Sequence, residues 1–156
     1  MTNEITTHEN CCHVPTEVCP CPVCGNPGRK VTAMTLDHHL PPDIRPQFGE
    51  SATFCPNPTC NVVYCDSEGH VAKKGETVLP VTVKDKGDGV YVCYCFEFTR
   101  GDLKKDIAAN KETTIPLQIK KGVQEKRCDC VRKNPQGACC IGNVASEIKD
   151  IRYGPT

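Results

Sequence analysis

The 156-residue sequence contains no tryptophan, has only 5% aromatic residues and has a negative mean hydropathy. So little apolar material argues against a large hydrophobic core, and we expect bound metals to supply part of the missing folding energy. Lys plus Arg and Asp plus Glu both number 19, so the charge balance indicates neither a nucleic acid nor a membrane surface as partner.

Long hydrophobic stretches are also missing. No apolar run approaches the about 20 residues needed to span a bilayer, and we therefore expect no membrane segment. Residues 1–9 are polar and lack the apolar centre of a secretory signal peptide. Together these two absences predict a cytoplasmic protein.

Cysteine, in contrast, is abundant, with 14 residues arranged in two groups. In a reducing cytoplasm thiols stay available for metals, so metal sites are favoured over a disulfide scaffold. Pairs spaced by one or two residues favour the same interpretation, because near neighbours direct two sulfur atoms at one ion. We interpret the chain as a protein with two metal centres.

The first cysteine group predicts a zinc site. Cys21 and Cys24 flank a Pro-Val turn, and Cys55 and Cys60 flank a second turn that contains two prolines. Gly25 follows the first turn and can adopt the positive φ that such a turn needs. Two turns that each present two sulfur atoms can form a closed tetrahedral site of the zinc-ribbon kind.

Four other residues lie near this zinc motif in sequence. His38 or His39 could replace one sulfur ligand, since closed sites with three cysteines and one histidine also occur. The alternative is that both histidines lie at the surface or at a strand end. Cys19 and Cys65 are interpreted as thiols that pack like small apolar side chains or lie in the tail.

Residues 1–18 show no helical or strand period, and we interpret them as a flexible tail. The tail contains Cys11, Cys12 and His13. Two adjacent thiols beside an imidazole could capture a soft ion such as Cu(I), and the alternative is that these residues have no role.

Apolar periodicity and capping residues predict the main elements. Thr99 is a good N-cap, with Asp102 at the third helical position, for a helix over residues 100–110. Further helices are expected to begin near Pro116 and near Cys139. Strands are predicted over residues 31–36, 61–64, 78–84 and 90–93.

The second cysteine group predicts an iron–sulfur cluster. Cys93 and Cys95 are one residue apart, and Cys130, Cys139 and Cys140 follow. Four thiolates drawn from two loops can enclose a two-iron cluster. A cysteine at a helix start is suited to be a thiolate, because the free amides there favour the anion. Adjacent residues point in different directions, so we expect one cysteine of the adjacent pair to be a ligand.

These motifs in combination resemble a known family. The Val-Cys-Tyr-Cys sequence at 92–95, the spacing to Cys130 and the Asn-Pro-x-Gly-x-Cys-Cys sequence at 134–140 are similar to the bacterioferritin-associated-ferredoxin-like (BFD-like) [2Fe-2S] domain. Together with the motifs at 21–24 and 54–60, they resemble the N-terminal domain of CopZ-type copper chaperones. The resemblance covers about residues 19–150.

The resemblance implies an α+β fold stabilised by metals. A small zinc-knuckle β module would occupy residues 19–85, and a BFD-like helical [2Fe-2S] module would occupy residues 86–153. Cys128 is an additional candidate cluster ligand beside Cys130. The implied ligands are Cys93, Cys95, Cys130 and Cys140 for the [2Fe-2S] cluster, and Cys21, Cys24, Cys55 and Cys60 for Zn²⁺.

We therefore expect a cytoplasmic [2Fe-2S] and zinc protein of metal homeostasis, an electron-transfer or metal-binding protein rather than an enzyme. It would pass one electron to a soft metal ion, reducing Cu(II) to Cu(I), or to a partner protein. The 156 residues contain no M-x-C-x-x-C motif, so copper delivery is expected to need a separate copper chaperone or a copper-transporting ATPase. Two alternatives are a non-redox metal-sequestering or sensing protein and a ferredoxin-like partner in iron–sulfur or iron-storage metabolism.

Overall fold

A four-stranded antiparallel sheet, in the order β1-β2-β3-β4, organises the first half of the chain. The computed structural model describes residues 18–154, so the tail with Cys11, Cys12 and His13 lies outside the described residues. Helix α1 (Ala33–His39) connects the first two strands, followed by a short 3-10 turn. The strands are β1 (Arg29–Thr32), β2 (Ser51–Phe54), β3 (Val62–Cys65) and β4 (Val71–Lys73).

Strand β3 is buried on both faces and joins two clusters of side chains. Val63 and Tyr64 lie in the apolar core of this half, whereas Val62 and Cys65 pack with the cysteines of the zinc motif. A register irregularity between Val62 and Tyr64 accompanies this departure from strict alternation. Strand β3 therefore connects the zinc cysteines directly to the apolar core.

The second half combines a short hairpin with helices. Its core is formed by apolar residues from the hairpin and from three of the helices, together with Cys93 and Cys140. The expected mixed α+β class is confirmed. The elements are β5 (Tyr91–Cys93), β6 (Phe98–Thr99), α2 (Arg100–Asn110), α3 (Ile115–Gln124), α4 (Cys130–Lys133) and α5 (Ile141–Tyr153).

Local capping signals are confirmed. The Thr99 hydroxyl accepts a hydrogen bond from the Asp102 amide at 3.1 Å, and the Asp102 carboxylate accepts one from the Thr99 amide at 2.9 Å. Pro116 stands in the first turn of α3, and α5 begins directly after Cys140. Within residues 18–154, no helix combines the length and apolar character that crossing a membrane would require.

Two predicted strands are wrong. Only the start of 31–36 is a strand, and Ala33 begins α1, because Leu36 and His39 then share a buried face. The segment 78–84 forms turns, in which the Asp85 carboxylate accepts a hydrogen bond from the Val81 amide at 2.7 Å. Such a bond competes with the strand ladder.

Helix α1 packs against α4 and places a buried histidine between the two halves. His39 is fully buried, and its Nε2–H donates to the Lys133 carbonyl at 2.9 Å. Among the described residues, its Nδ1 is buried without a hydrogen-bond partner. Burial lowers the pKa of His39 to about 4, with His38 contributing in the same direction. The neutral imidazole is therefore the folded form at neutral pH.

This buried imidazole predicts acid sensitivity. In the unfolded chain the imidazole of His39 takes up a proton near pH 6.5, whereas in the folded protein it does so only near pH 4. The contribution of the neutral imidazole to stability is therefore complete above about pH 6.5 and is lost as the pH falls toward about 4. Between pH 6.5 and about 5, the free energy of unfolding measured in urea should fall by about 2 kcal/mol more in wild type than in His39→Gln. Glutamine can still donate to the carbonyl. A constant difference between the two proteins across this window would contradict the assignment.

Candidate metal centres

The first cysteine group is built on two turns beside the sheet. In the first turn the Gly25 amide donates to the Cys21 carbonyl at 2.8 Å, and Gly25 has φ +76° as the turn requires. In the second turn the Cys60 amide donates to the Asn57 carbonyl at 3.1 Å. The Cys55 amide pairs with Val63 of β3 at 2.9 Å, so the sheet fixes this turn.

The two turns bring four sulfur atoms together. The Sγ atoms of Cys21, Cys24, Cys55 and Cys60 all lie within 4.8 Å of one another. The Cys21–Cys60 and Cys24–Cys55 sulfur pairs are each separated by 3.7 Å. A tetrahedral ion with metal–sulfur bonds of about 2.3 Å has sulfur–sulfur edges of about 3.8 Å. The spacing therefore suits a single zinc ion.

The protonation of these thiols reflects their different exposure. Burial raises the pKa of Cys55 to about 12 and also raises the pKa of Cys60. Hydrogen bonds from the Asn57 side chain and then from the Asn26 backbone lower the pKa of the more exposed Cys24 to about 6. Without a cation the buried pair would stay protonated, and a bound divalent ion would make all four thiolates favourable.

A buried lysine that the sequence did not indicate supports the second turn. Lys84 is only 3% exposed, and its Nζ donates to the Asn57 carbonyl at 2.7 Å and to the Cys60 carbonyl at 3.1 Å. Its positive charge lies near Cys55 and lowers the pKa of that thiol against the effect of burial. The sequence did not predict this role, because Lys84 ends a segment of alternating apolar residues that resembles an ordinary strand.

The remaining candidates of the first half lie apart from the four-sulfur group. Cys65 is fully buried next to it, and burial raises the pKa of Cys65 to about 12. Cys19 is half-buried. His38 and His39 lie on α1 and are not members of the group. The position of Cys65 agrees with its interpretation as a packing thiol, and the positions of the histidines agree with the predicted four-cysteine site rather than with a histidine ligand.

The second cysteine group is assembled from the β5–β6 hairpin and from two helix starts. Cys93 ends β5, and Cys95 lies in the hairpin turn. Cys130 is the first residue of α4, and Cys140 is the N-cap of α5. The Cys95 and Cys130 sulfur atoms are 3.5 Å apart, so residues 35 positions apart in sequence meet here.

Interactions among the four thiols perturb their acidities. Hydrogen bonds from Cys140 and then Cys95 lower the pKa of Cys130 to about 3. The Cys140 thiol likewise lowers the pKa of Cys93 to about 7. The pKa of Cys95 and that of Cys140 are raised, in each case mainly by the hydrogen bond to Cys130. The four thiols therefore form one network in which the acidity of each depends on the others.

A backbone amide also contacts this network. Among the described residues, the zinc motif is the group of sulfur atoms placed to hold a metal ion. The Asp129 amide donates to Cys95 Sγ at 3.0 Å, the backbone-to-sulfur contact that favours a thiolate. This contact lowers the pKa of Cys95 against the effect of Cys130.

Two more thiols flank the network. Cys128 is half-buried, and burial raises its pKa, whereas Cys139 is exposed next to buried Cys140. The expectation that adjacent Cys139 and Cys140 face different surroundings agrees with this difference in burial. Cys139 contributes to the lowered pKa of Cys130, and Cys130 contributes to the raised pKa of Cys128, so both flanking thiols lie close to Cys130.

Comparisons with known proteins agree on the first half. Residues 19–77 match the family model zf_CopZ, described as a zinc binding domain. The chain is 31% identical over 121 residues to the copper chaperone CopZ of Archaeoglobus fulgidus, an alignment that covers 77% of this chain and 57% of CopZ. The X-ray structure of the N-terminal domain of that CopZ is similar, with a TM-score of 0.68 and 27% identity over 80% of this chain and 94% of the domain.

Residues 19–77 match a CopZ-type zinc-binding domain, and the fold and the four-sulfur group agree with that match. For this zinc-binding half, the comparisons confirm the resemblance to the CopZ N-terminal domain that the motifs predicted. The chain spans 57% of the length of the curated CopZ that it matches.

The buried lysine generates a prediction about metal affinity. In Lys84→Met the Asn57 and Cys60 carbonyls lose their donor, and the site loses a neighbouring positive charge. We expect about tenfold weaker zinc binding, since a charged hydrogen bond contributes about 1.5 kcal/mol or more. Competition with a chromophoric zinc chelator measures this change. The exposed Lys73→Met is the matched control, and equal affinities of the two variants would contradict the role of Lys84.

Proposed function

We propose that this chain is a cytoplasmic zinc and [2Fe-2S] protein of metal homeostasis that transfers single electrons to a soft metal ion, reducing Cu(II) to Cu(I). The observation that carries the proposal is the convergence of four thiols from the hairpin and two helix starts beside a closed four-sulfur site. The name of the A. fulgidus relative, a copper chaperone, supports copper as the metal.

In this proposal the zinc ion is structural. Its ligands are Cys21, Cys24, Cys55 and Cys60, whose spacing suits one tetrahedral ion. Four protein ligands leave no open coordination position for a substrate. The zinc module extends over residues 19–85, which includes Lys84.

The module of residues 86–153 would hold the [2Fe-2S] cluster through Cys93, Cys95, Cys130 and Cys140. Such a cluster, when bound, takes up and releases one electron at a time. The Asp129 amide donates to the Cys95 sulfur and favours its thiolate, and Cys140 lies at the positive N-terminal end of α5. Burial of Cys93 and Cys140 keeps water from that side of the site.

One edge of this site is accessible from solvent. Cys95 and Cys130 are half-buried, and Cys95 lines a groove together with Phe96, Phe98 and Arg127. An ion or a protein that approaches this groove would come close to the Cys95 sulfur. The groove therefore also supports the variant of the proposal in which the electron goes to a partner protein, as in a ferredoxin.

Copper transfer beyond reduction would depend on a partner. A copper chaperone or a copper-transporting ATPase would accept the Cu(I), because the zinc site is closed and the four network thiols would be occupied. The alternative of a non-redox sequestering or sensing protein depends on Cys11, Cys12 and His13, which lie outside the described residues.

The zinc assignment predicts a sulfur-only coordination shell. X-ray absorption at the zinc edge should show four sulfur neighbours at about 2.3 Å, because the four sulfur atoms already have tetrahedral spacing. A nitrogen neighbour would instead implicate His38 or His39. The His39→Gln protein is the control, and its zinc spectrum should be unchanged.

The cluster assignment predicts the metal content of serine variants. Anaerobically purified protein should be brown, contain two irons for each zinc and become paramagnetic on one-electron reduction. Cys128→Ser and Cys139→Ser should keep the iron, since these thiols only flank the network. Colourless, iron-free wild-type protein would refute the assignment. Variants expected to lose iron but keep zinc are Cys93→Ser, Cys95→Ser, Cys130→Ser and Cys140→Ser.

The electron-transfer proposal is tested with copper itself. Photoreduced protein is mixed anaerobically with Cu(II) and a Cu(I)-specific chelator, while the visible spectrum is followed. We expect one Cu(I) for each electron that the reduced protein loses, because Cu(II) accepts one electron. The Cys93→Ser variant corrects for Cu(II) reduction by free thiols. A protein that remains reduced while no excess Cu(I) forms would favour a partner protein as the electron acceptor.

A further inference from the structure

Side chains of the zinc half hold the segment that separates two cysteines of the second group. This connecting segment, residues 131–139, joins Cys130 to Cys140. Three of its backbone carbonyls, at alternate positions, accept hydrogen bonds from α1 or β3. The bonds are Thr35 Oγ1 to Val131 O at 2.5 Å, His39 Nε2 to Lys133 O at 2.9 Å and Tyr64 OH to Pro135 O at 2.6 Å.

The three donors are fully buried, so water cannot replace them when a bond is lost. The connecting segment has few means of holding itself. Helix α4 has only four residues, too short to be stable alone, and its last carbonyls have no partners within the helix. Thr35 and His39 supply those partners from α1.

Close packing accompanies these bonds. Gly137 has φ +70°, and a Cβ at this position would lie 3.2 Å from both Thr35 Oγ1 and Val31 Cγ1. The connecting segment therefore runs directly against β1 and α1, without room for an intervening layer. Inside the segment, the Asn134 side chain donates to the Ala138 carbonyl at 2.6 Å and fixes the turn that leads to Cys140.

The donors belong to elements that are joined to the zinc motif through the sheet. Tyr64 lies on β3, four residues after Cys60, and the neighbouring Val63 carbonyl accepts the Cys55 amide. Thr35 and His39 lie on α1, which follows β1, and β1 pairs with the strand that leads into Cys55. The three hydroxyl and imidazole donors thus lie on elements that the sheet joins to the zinc cysteines.

We infer that zinc binding in the first half positions Cys130 and Cys140 in the second, with Thr35, His39 and Tyr64 as the positioning residues. The consequence for iron retention rests on the proposed [2Fe-2S] cluster, whereas the ordering of the connecting segment by zinc does not. Loss of zinc should release the connecting segment even though no zinc ligand lies within it.

The first experiment uses full-length, iron-free protein loaded with zinc. Hydrogen exchange of peptides that cover residues 131–140 is compared in wild type, Tyr64→Phe and Val63→Ala. Tyr64→Phe removes one hydroxyl and should raise exchange there about tenfold, as expected for one buried hydrogen bond. Val63→Ala weakens the same core without removing a bond to the segment, and its exchange there should stay near that of wild type.

Zinc removal by a chelator provides the second arm. Exchange in residues 131–140 should then rise in wild type to at least the Tyr64→Phe level. A connecting segment that stays protected after zinc loss, or that responds equally to Val63→Ala and Tyr64→Phe, would overturn the inference. Protein that never binds iron would refute the proposed cluster but would leave this arm fully interpretable.

The iron-loaded protein supplies the readout that a purely structural role would not change. With zinc content unaltered, Tyr64→Phe and His39→Leu should lose iron to a chelator about tenfold faster and alter the visible circular dichroism, because Cys130 and Cys140 are held less firmly. His39→Gln, which keeps a donor, should restore the wild-type rate. Identical rates in all these proteins would contradict a positioning role.

Discussion

Four cysteine sulfur atoms meet in a largely buried site, and the first half of the protein depends on how their charge is balanced. Burial disfavours the thiolate at Cys55 and Cys60, so the turns can close around four thiolates only when a cation is present. Lys84 adds a fixed positive charge and satisfies two turn carbonyls. In a chain with so few aromatic residues, this electrostatic closure replaces apolar burial that the sequence cannot provide.

Strand β3 connects this closure to the rest of the molecule. Its residues face the cysteines on one side and the apolar core on the other, and Tyr64 reaches from it to the Pro135 carbonyl. Helix α1 makes the parallel connection through Thr35 and His39. Buried hydrogen bonds from these two elements therefore join the zinc half to the segment between Cys130 and Cys140. Such bonds are costly to leave unmade.

Much of the site could be predicted because its parts are local. A turn between Cys21 and Cys24 needs only proline and glycine at the right positions, and the Thr99–Asp102 box is complete within four residues. The strand predicted over 31–36 failed because a tertiary contact decided it, since α1 forms where it can pack against α4. The strand predicted over 78–84 failed for a local reason, because the Asp85 carboxylate accepts a hydrogen bond from the Val81 amide.

The sequence by itself determined the two cysteine groups, the turn and capping residues and the mixed α+β class, since these depend on spacing and on contacts within a few residues. Only the tertiary structure decided which distant groups meet. It buried Lys84 beneath the zinc turn and set His39 against the Lys133 carbonyl. The physical reason is that each of these contacts satisfies a buried polar group with a partner more than 20 residues away, and periodicity along the chain contains no information about that pairing.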